Sequence, residues 1–196
     1  MKNKKILTFL FIIFYLLPIK ITFGEEIIFE TPEIEVFEGG NILKAYKGGK
    51  AIIDNSTEII ADKFEYNKTT KTLLAEGNAQ GVDLLNKVTI NADKLLFNKI
   101  SFVYNAKGNS KVVDNAKKIT IVADELEYNK KDSIYTANKN VKVDDNLNNV
   151  ITEAEKMIYT RNEEKIFTEG KTRILIEKTY TINSKDVVWL RNKKKF

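Results

Sequence analysis

The sequence predicts an all-β protein in which two-stranded hairpin units stack into a sandwich. Two observations lead to this fold class. Apolar and polar residues alternate with a period of two, as in half-buried strands. Related blocks also return every 31 residues, which is the mark of a repeat architecture. No stretch between positions 25 and 196 shows the 3.6-residue periodicity of an amphipathic helix.

The first 24 residues have the layout of a secretory signal peptide. A basic start at positions 2–5 precedes an apolar run over 6–19, and the small residues Thr22 and Gly24 stand where a signal peptidase would cleave. The run is shorter than the roughly 20 residues that a membrane-spanning helix needs. We therefore expect a signal peptide over 1–24 and an exported domain over 25–196. An uncleaved N-terminal anchor is the alternative.

Composition excludes several classes of function. The chain has no Cys and no His, so disulfides, thiolate or imidazole zinc sites and Ser-His-Asp triads are absent. The net charge is +5, but residues 25–190 hold 24 basic and 27 acidic residues, which gives no electrostatic footprint for nucleic acid. The bases at Arg191 and 193–195 form a basic tail that we expect to be solvated, and contact with an anionic surface is the alternative. With no phosphate loop or catalytic motif, we expect neither an enzyme nor a cofactor.

The repeat is defined by two markers. The first is a block that resembles ADKFEYNK, and the second, typified by EGNAQ, follows it 15 residues later. Each unit then reads as two alternating strands joined by a polar turn. The first block begins at Ala61, Ala92, Ala123 and Ala154, with a weaker copy at Ser184.

Large apolar residues occupy one face of these strands and small residues occupy another stretch of the same face. The alternation predicts that they point inward and that stacked units build an aromatic stripe and a small-residue stripe. The small residues either make room beside the rings or permit a bend or bulge. The small stripe consists of Ala75, Ala106, Ala137 and Thr168.

Two interpretations of the inward face remain open. It is either a plain packed core or a channel, lined by apolar side chains, that holds an acyl chain between two incompletely closed sheets. The candidate lipid contacts are Phe64, Tyr66, Leu95, Phe97, Tyr104, Leu126, Tyr128, Tyr135, Met157, Tyr159, Ile166 and Trp189.

Two further features of the repeat concern its surface. Acidic residues recur beside lysines, and we expect solvated strand ends there rather than a metal site. Candidate edge strands lie at 27–36 and 181–190, where strand addition to a partner is feasible. The acidic positions are Asp62, Asp93, Asp124, Glu155 and Asp186.

The repeated AD-x-hydrophobic-x-aromatic block, followed by a strand of the form A-x-G-N/K, resembles the OstA-like periplasmic domain of the lipopolysaccharide-transport family. The resemblance covers about residues 25–190. It implies an antiparallel β-jellyroll with an interior groove for the acyl chains of lipid A. It also implies a periplasmic location, a possible association with the outer membrane, and head-to-tail pairing with other jellyroll domains of the family. A free-standing LptA-like bridge and a truncated N-terminal domain of LptD fit the residues about equally well.

A second hypothesis belongs to a different class of function. The chain would then be an exported structural β-repeat protein that binds other proteins through its edge strands. Its interior would be dry and would hold no lipid.

Overall fold

A computed structural model describes residues 27–193, and the predicted signal peptide lies outside this range. Within the described residues, sixteen strands form one antiparallel sheet that folds over on itself. Nowhere within 27–193 is a helix long and apolar enough to cross a membrane. The strands are β1 (Ile28–Glu30), β2 (Glu35–Phe37), β3 (Ile42–Ala45), β4 (Gly49–Asp54), β5 (Thr57–Ala61), β6 (Lys63–Asn67), β7 (Thr72–Asp83), β8 (Val88–Asn98), β9 (Val103–Asp114), β10 (Ile119–Asn129), β11 (Ile134–Asp145), β12 (Val150–Thr160), β13 (Lys165–Glu169), β14 (Thr172–Ile176), β15 (Tyr180–Ser184) and β16 (Val187–Leu190).

The long strands β7 to β12 are bent in the middle, so that each contributes one half to each of two packed layers. Layer A contains the strand halves whose ladder of pairing ends at β6 on one side and β13 on the other. Layer B contains the other halves, whose ladder ends at β5 and β14. The shorter strands complete layer A with β2, β3 and β16, and layer B with β1, β4 and β15. At about 4.8 Å between neighbouring strands, each layer is roughly 50 Å long.

The 31-residue sequence period is the period of the fold, as predicted. Strands β8, β10 and β12 have the same length and begin at Val88, Ile119 and Val150, which are 31 residues apart. One unit therefore adds two bent strands to the stack. The all-β prediction and the predicted hairpin repeat are both confirmed.

A β-bulge at the second sequence marker produces each bend. The pairing of β7 with β8 shifts after Glu76, where Gly77 and Asn78 have φ values of 75° and 48°. Asn78 Nδ2 donates to Asp62 Oδ2 at 2.9 Å, and an added Cβ at Gly77 would lie 2.6 Å from the same oxygen. Glycine fits here because it tolerates both the left-handed backbone and the close approach.

The recurring exposed acidic residues therefore have a structural role that the sequence interpretation did not include. Asp93 accepts from Asn109 at 2.9 Å, and Asp124 accepts from Asn140 at 2.8 Å, so the contact recurs in each of these units. These carboxylates are exposed, as expected, but Asp93 and Asp124 lie in the middle of β8 and β10 rather than at strand ends, because they brace the bends of these strands. The folded-over edge that they line is called the hinge.

Seven four-residue turns join consecutive strands from β6 to β13 at the opposite edge, which is called the mouth. The last residue of each turn has a positive φ, for example Lys87 and Ser133, as in common four-residue hairpin loops. In six of these turns, an Asn or Asp at the end of the preceding strand accepts backbone N–H groups of the turn. Asn98 Oδ1 accepts from Ser101 N at 2.9 Å, and Asp83 Oδ1 accepts from Asn86 N at 3.1 Å.

Both ends of the stack present strands that are paired on one edge within the described residues. Strands β1 and β2 form one end, and β15 and β16 form the other. Exposed apolar side chains, including Val36 and Tyr180, lie on these strands. The predicted positions of the edge strands are thus confirmed, whereas their pairing with a partner stays a prediction.

Candidate functional site

All twelve predicted lipid contacts lie in layer A and point toward layer B. Their exposed fractions are 5% or less, so they belong to the interior and none faces water. Layer B supplies the opposing apolar surface from alternate positions of its strands. Its inward residues include Ala79, Ile90, Val112, Ile121, Val143 and Ile174.

Large and small residues alternate along one row of layer A, contrary to the prediction of an uninterrupted small-residue stripe. Ala106 lies opposite Leu95 on one side and Leu126 on the other, and Ala137 lies between Leu126 and Met157. Equivalent residues of successive units are two strands apart, or roughly 9.6 Å. The small side chains therefore fill the intervals between large ones, and the row is a packing pattern.

The aromatic side chains form a continuous stack across five neighbouring strands. Ring centroids lie 4.6 Å apart for Phe97 and Tyr104, 5.8 Å for Tyr104 and Tyr128, and 4.6 Å for Tyr128 and Tyr135. Tyr159 continues the stack at 5.6 Å from Tyr135. The three tyrosine pairs are stacked, whereas Phe97 and Tyr104 are tilted by 42°. Aromatic pairs of this kind contribute about 0.5–1.5 kcal/mol each beyond their buried area.

The two layers touch through these rings. Gly81 of layer B is so close to layer A that an added Cβ would lie 3.1 Å from Leu95 and 3.2 Å from Tyr104. The rings thus fill space left by small residues of the facing layer. In this conformation the interior is apolar and closely packed.

A ladder of buried ion pairs closes the mouth between the two layers. Its acids end strands of layer B and are 31 residues apart, and each of its bases directly follows a strand of layer A, namely β10, β12 or β16. We call this ladder the mouth seam. It pairs Asp83 Oδ1 with Lys130 Nζ at 3.3 Å, Asp114 Oδ2 with Arg161 Nε at 2.6 Å, and Asp145 Oδ2 with Arg191 Nε at 2.7 Å.

The mouth seam is joined to the aromatic stack. Tyr128 Oη donates to Asp83 at 3.3 Å, and Tyr135 Oη donates to Asp114 at 3.2 Å. At the third pair, Arg191 Nη1 donates to Tyr159 Oη at 2.9 Å. The tyrosines therefore bury their rings in the interior while their hydroxyl groups reach the polar boundary.

Arg191 is buried, which corrects the expectation that it belongs to a solvated basic tail. Its Nε and Nη2 atoms donate to both oxygens of Asp145, at 2.7 and 3.0 Å, and Nη2 also donates to Lys117 O at 2.9 Å. Such a bidentate pair satisfies the charge of a buried guanidinium. Positions 194–196 lie outside the described residues.

Burial and hydrogen bonding set the proton affinities along the seam. Burial disfavours the ionised form of Asp145, but hydrogen bonds from Arg191 and Asn148 outweigh it and hold the pKa of this carboxyl below its ordinary value. Burial raises the pKa of Tyr159 to about 12, and it raises the pKa values of Tyr128 and Tyr135 further. These hydroxyl groups are therefore neutral at physiological pH.

Sequence reasoning missed the mouth seam, although a signal was present. The alternation that places Ala79 and Gly81 inward also places Asp83 inward. At the other ends of the strands, Asn67 and Asn98 accept the same turn N–H groups without carrying a charge. Because Asn is enough to accept the turn N–H groups, an Asp that recurs at the equivalent position indicates that its carboxylate has a second partner.

These features define a folded-over, open-ended β-sandwich with an apolar interior and a polar seam along one side. The solved structure of LptH, the LptA-homologous periplasmic component of the lipopolysaccharide transport device of Pseudomonas aeruginosa, is similar to it. That similarity has a TM-score of 0.52 at 11% sequence identity and covers 59% of this chain and 83% of that chain. It confirms the predicted jellyroll-like fold. No family model and no curated protein matches the sequence.

Proposed function

We propose that this chain is a non-enzymatic periplasmic transport module for lipopolysaccharide, which shields acyl chains between its two layers. The observation that carries the proposal is the continuous apolar interior, which extends across the stacked strands in a fold similar to that of LptH. Each methylene group removed from water contributes about 0.8 kcal/mol. The sugar and phosphate groups of such a lipid would stay outside the layers, in solvent.

Acyl chains enter, on this proposal, by parting the layers at the mouth. The hinge is covalently continuous in every long strand, whereas the mouth is held by side chains and turn contacts. Parting the mouth brings the seam charges into water, where hydration compensates for the lost ion pairs. Displaced contacts between the rings are replaced by contacts between rings and acyl chain.

The same geometry supports a second candidate function, an exported structural β-repeat protein with a dry interior. The close packing of Tyr128 against Tyr135 and of Gly81 against Tyr104 favours this candidate. On either proposal, the free edges at the two ends of the stack fit head-to-tail pairing with another β-domain. In the first case those partners are other jellyroll domains of the transport machinery.

Site-specific photocrosslinking in cells separates the two candidates. A photoreactive residue replaces Tyr135, which faces the interior, or Glu127, which faces outward from layer A as a matched control. Transfer of lipopolysaccharide predicts a lipid adduct at position 135 and none at 127. Adducts at neither position, together with protein adducts from the edge residue Ile182, indicate the structural function instead.

A further inference from the structure

The turns at the mouth carry most of the strongly exposed large apolar side chains. Among the described residues, seven such side chains are more than half exposed, and four of them lie on mouth turns. The other three, on β1, β2 and β15, lie at the ends of the stack. The four at the mouth are Leu84 (57%), Leu85 (75%), Ile100 (64%) and Leu147 (64%). We call these four side chains the apolar tips.

Basic residues surround the apolar tips. The seven mouth turns, 68–71, 84–87, 99–102, 115–118, 130–133, 146–149 and 161–164, contain nine basic and three acidic residues. Lysines in these turns that remain exposed include Lys87, Lys118 and Lys131. Lys130 and Arg161 are paired with acids of the mouth seam. Outside the seven turns, the described residues hold 17 basic and 22 acidic residues, so the excess of basic residues lies at these turns.

The chemistry of this edge fits a lipid surface better than a protein. Protein interfaces are enriched in aromatic residues, Met and Arg and are depleted in Lys, whereas the exposed part of the mouth presents Leu, Ile and Lys. Aliphatic side chains that insert below the headgroups, flanked by lysines that meet anionic headgroups, are typical of interfacial membrane binding. The tips also stand on separate turns, so several of them can insert along one line.

We propose that the mouth docks on an anionic bilayer surface through the apolar tips and the exposed lysines beside them. Leu85 and Leu147, on turns of layer B, and Ile100, on a turn of layer A, insert among the headgroups. The hinge, with its exposed carboxylates, then faces away from the membrane. This interaction requires no ligand between the layers, so it is independent of the transport function proposed above.

Single-cysteine labelling tests this orientation in the full chain, because the natural sequence contains no Cys. An environment-sensitive fluorophore is attached to Leu147→Cys at the mouth, or to Lys107→Cys at the hinge as a control with an exposed side chain. The probes are vesicles of equal parts phosphatidylglycerol and phosphatidylcholine, and vesicles of phosphatidylcholine alone. A label at position 147 is expected to shift to the blue with the anionic vesicles while the label at 107 does not. This comparison within one chain also controls for any membrane affinity of the N-terminal apolar run.

Two sets of substitutions then separate the apolar and charged contributions. Replacing Leu84, Leu85 and Leu147 together with Ser removes three tips that contribute little to the core, and should weaken vesicle affinity by roughly tenfold or more. Neutralising the exposed lysines with Lys87→Gln, Lys118→Gln and Lys131→Gln should weaken it comparably, and moderate salt should mimic that loss. Circular dichroism verifies that both sets stay folded.

Three outcomes would overturn the proposal. One is an equal response of the labels at Leu147→Cys and Lys107→Cys, which would mean that no edge is preferred. Another is equal affinity for anionic and neutral vesicles. The third is a label at position 147 that ignores both vesicles and responds only to a soluble protein fraction, which would assign the mouth to a protein partner.

Discussion

The innermost ion pair of the mouth seam gives the sharpest test of how the sandwich is closed. Arg191 and Asp145 have fully buried side chains, and Arg191 makes four hydrogen bonds, to Asp145, Tyr159 and the Lys117 carbonyl. The substitution Arg191→Met keeps an unbranched apolar stem of similar shape but leaves the Asp145 carboxylate buried without its cation. Removing one partner of a buried pair costs about 3–5 kcal/mol.

Urea denaturation measures this loss. With a slope of about 2 kcal/mol per molar urea, the expected shift of the midpoint is about 1.5–2.5 M. Arg173→Met is the matched control, because Arg173 pairs with Glu153 at 3.1 Å on the exposed surface, where such pairs contribute about 0–1 kcal/mol. Equal midpoints for Arg191→Met and Arg173→Met would refute the reasoning.

A double-mutant cycle isolates the pair from its surroundings. Asp145→Asn keeps an oxygen for the turn N–H groups of Leu147 and Asn148, but removes the charge that Arg191 faces. Once either partner is gone, replacement of the other should lower the free energy of unfolding by less. The double variant Arg191→Met and Asp145→Asn should therefore be less destabilised than the sum of the two single variants, by about 1 kcal/mol or more. Strict additivity would show that the two side chains act separately.

Three further predictions follow from the bends, the packed row and the buried hydroxyl groups. Gly77→Ala should destabilise the fold by about 1–3 kcal/mol, because alanine strains the positive φ and its Cβ crowds Asp62. Lys139→Gly, at the equivalent position of a later unit, should stabilise the fold by about 0.4–1 kcal/mol, because glycine tolerates the positive φ there. Urea midpoints that move in the same direction for the two variants would contradict this. Ala106→Leu should cost about 1–3 kcal/mol by overfilling the row, and an unchanged urea midpoint would reveal spare space beside it. The raised pKa of Tyr159, about 12, favours its neutral form in the folded state, so stability should be intact below the ordinary value of 10.0 and fall as pH rises toward 12. Because the chain has eight tyrosines, the signal of Tyr159 is taken as the difference in tyrosinate absorbance between the natural chain and Tyr159→Phe. A difference signal that appears near pH 10 while the fold persists would argue against the burial of Tyr159.

The sequence was sufficient to predict which side chains point inward, because a period of two leaves no choice of face once strands are assumed. Tyr128 and Leu126 are buried and Glu127 is exposed, as that alternation requires. The repeat length likewise predicted the number of strands in each unit. Both properties are local, since they depend on neighbours along the chain.

Contacts between the layers could not be predicted in the same way. Asp114 meets Arg161, which is 47 residues away, because β9 is folded back at Gly108 and the layers are offset by one and a half units. The offset depends on how bends and twist accumulate across the stack. The aromatic stripe was predicted correctly, whereas the small-residue stripe was not, since antiparallel pairing places Leu126 between Ala106 and Ala137.

The offset of the mouth seam also has a consequence for the length of the molecule. Asp83, Asp114 and Asp145 recur at the same 31-residue interval as the turns and bends. If one 31-residue unit were removed or duplicated, each base of the mouth seam would therefore again find an acid at about the same separation along the chain. The fold can thus be shortened or extended in steps of about 10 Å without redesign of its closure. Loss or duplication of one unit in the gene would therefore change the length that one folded chain spans.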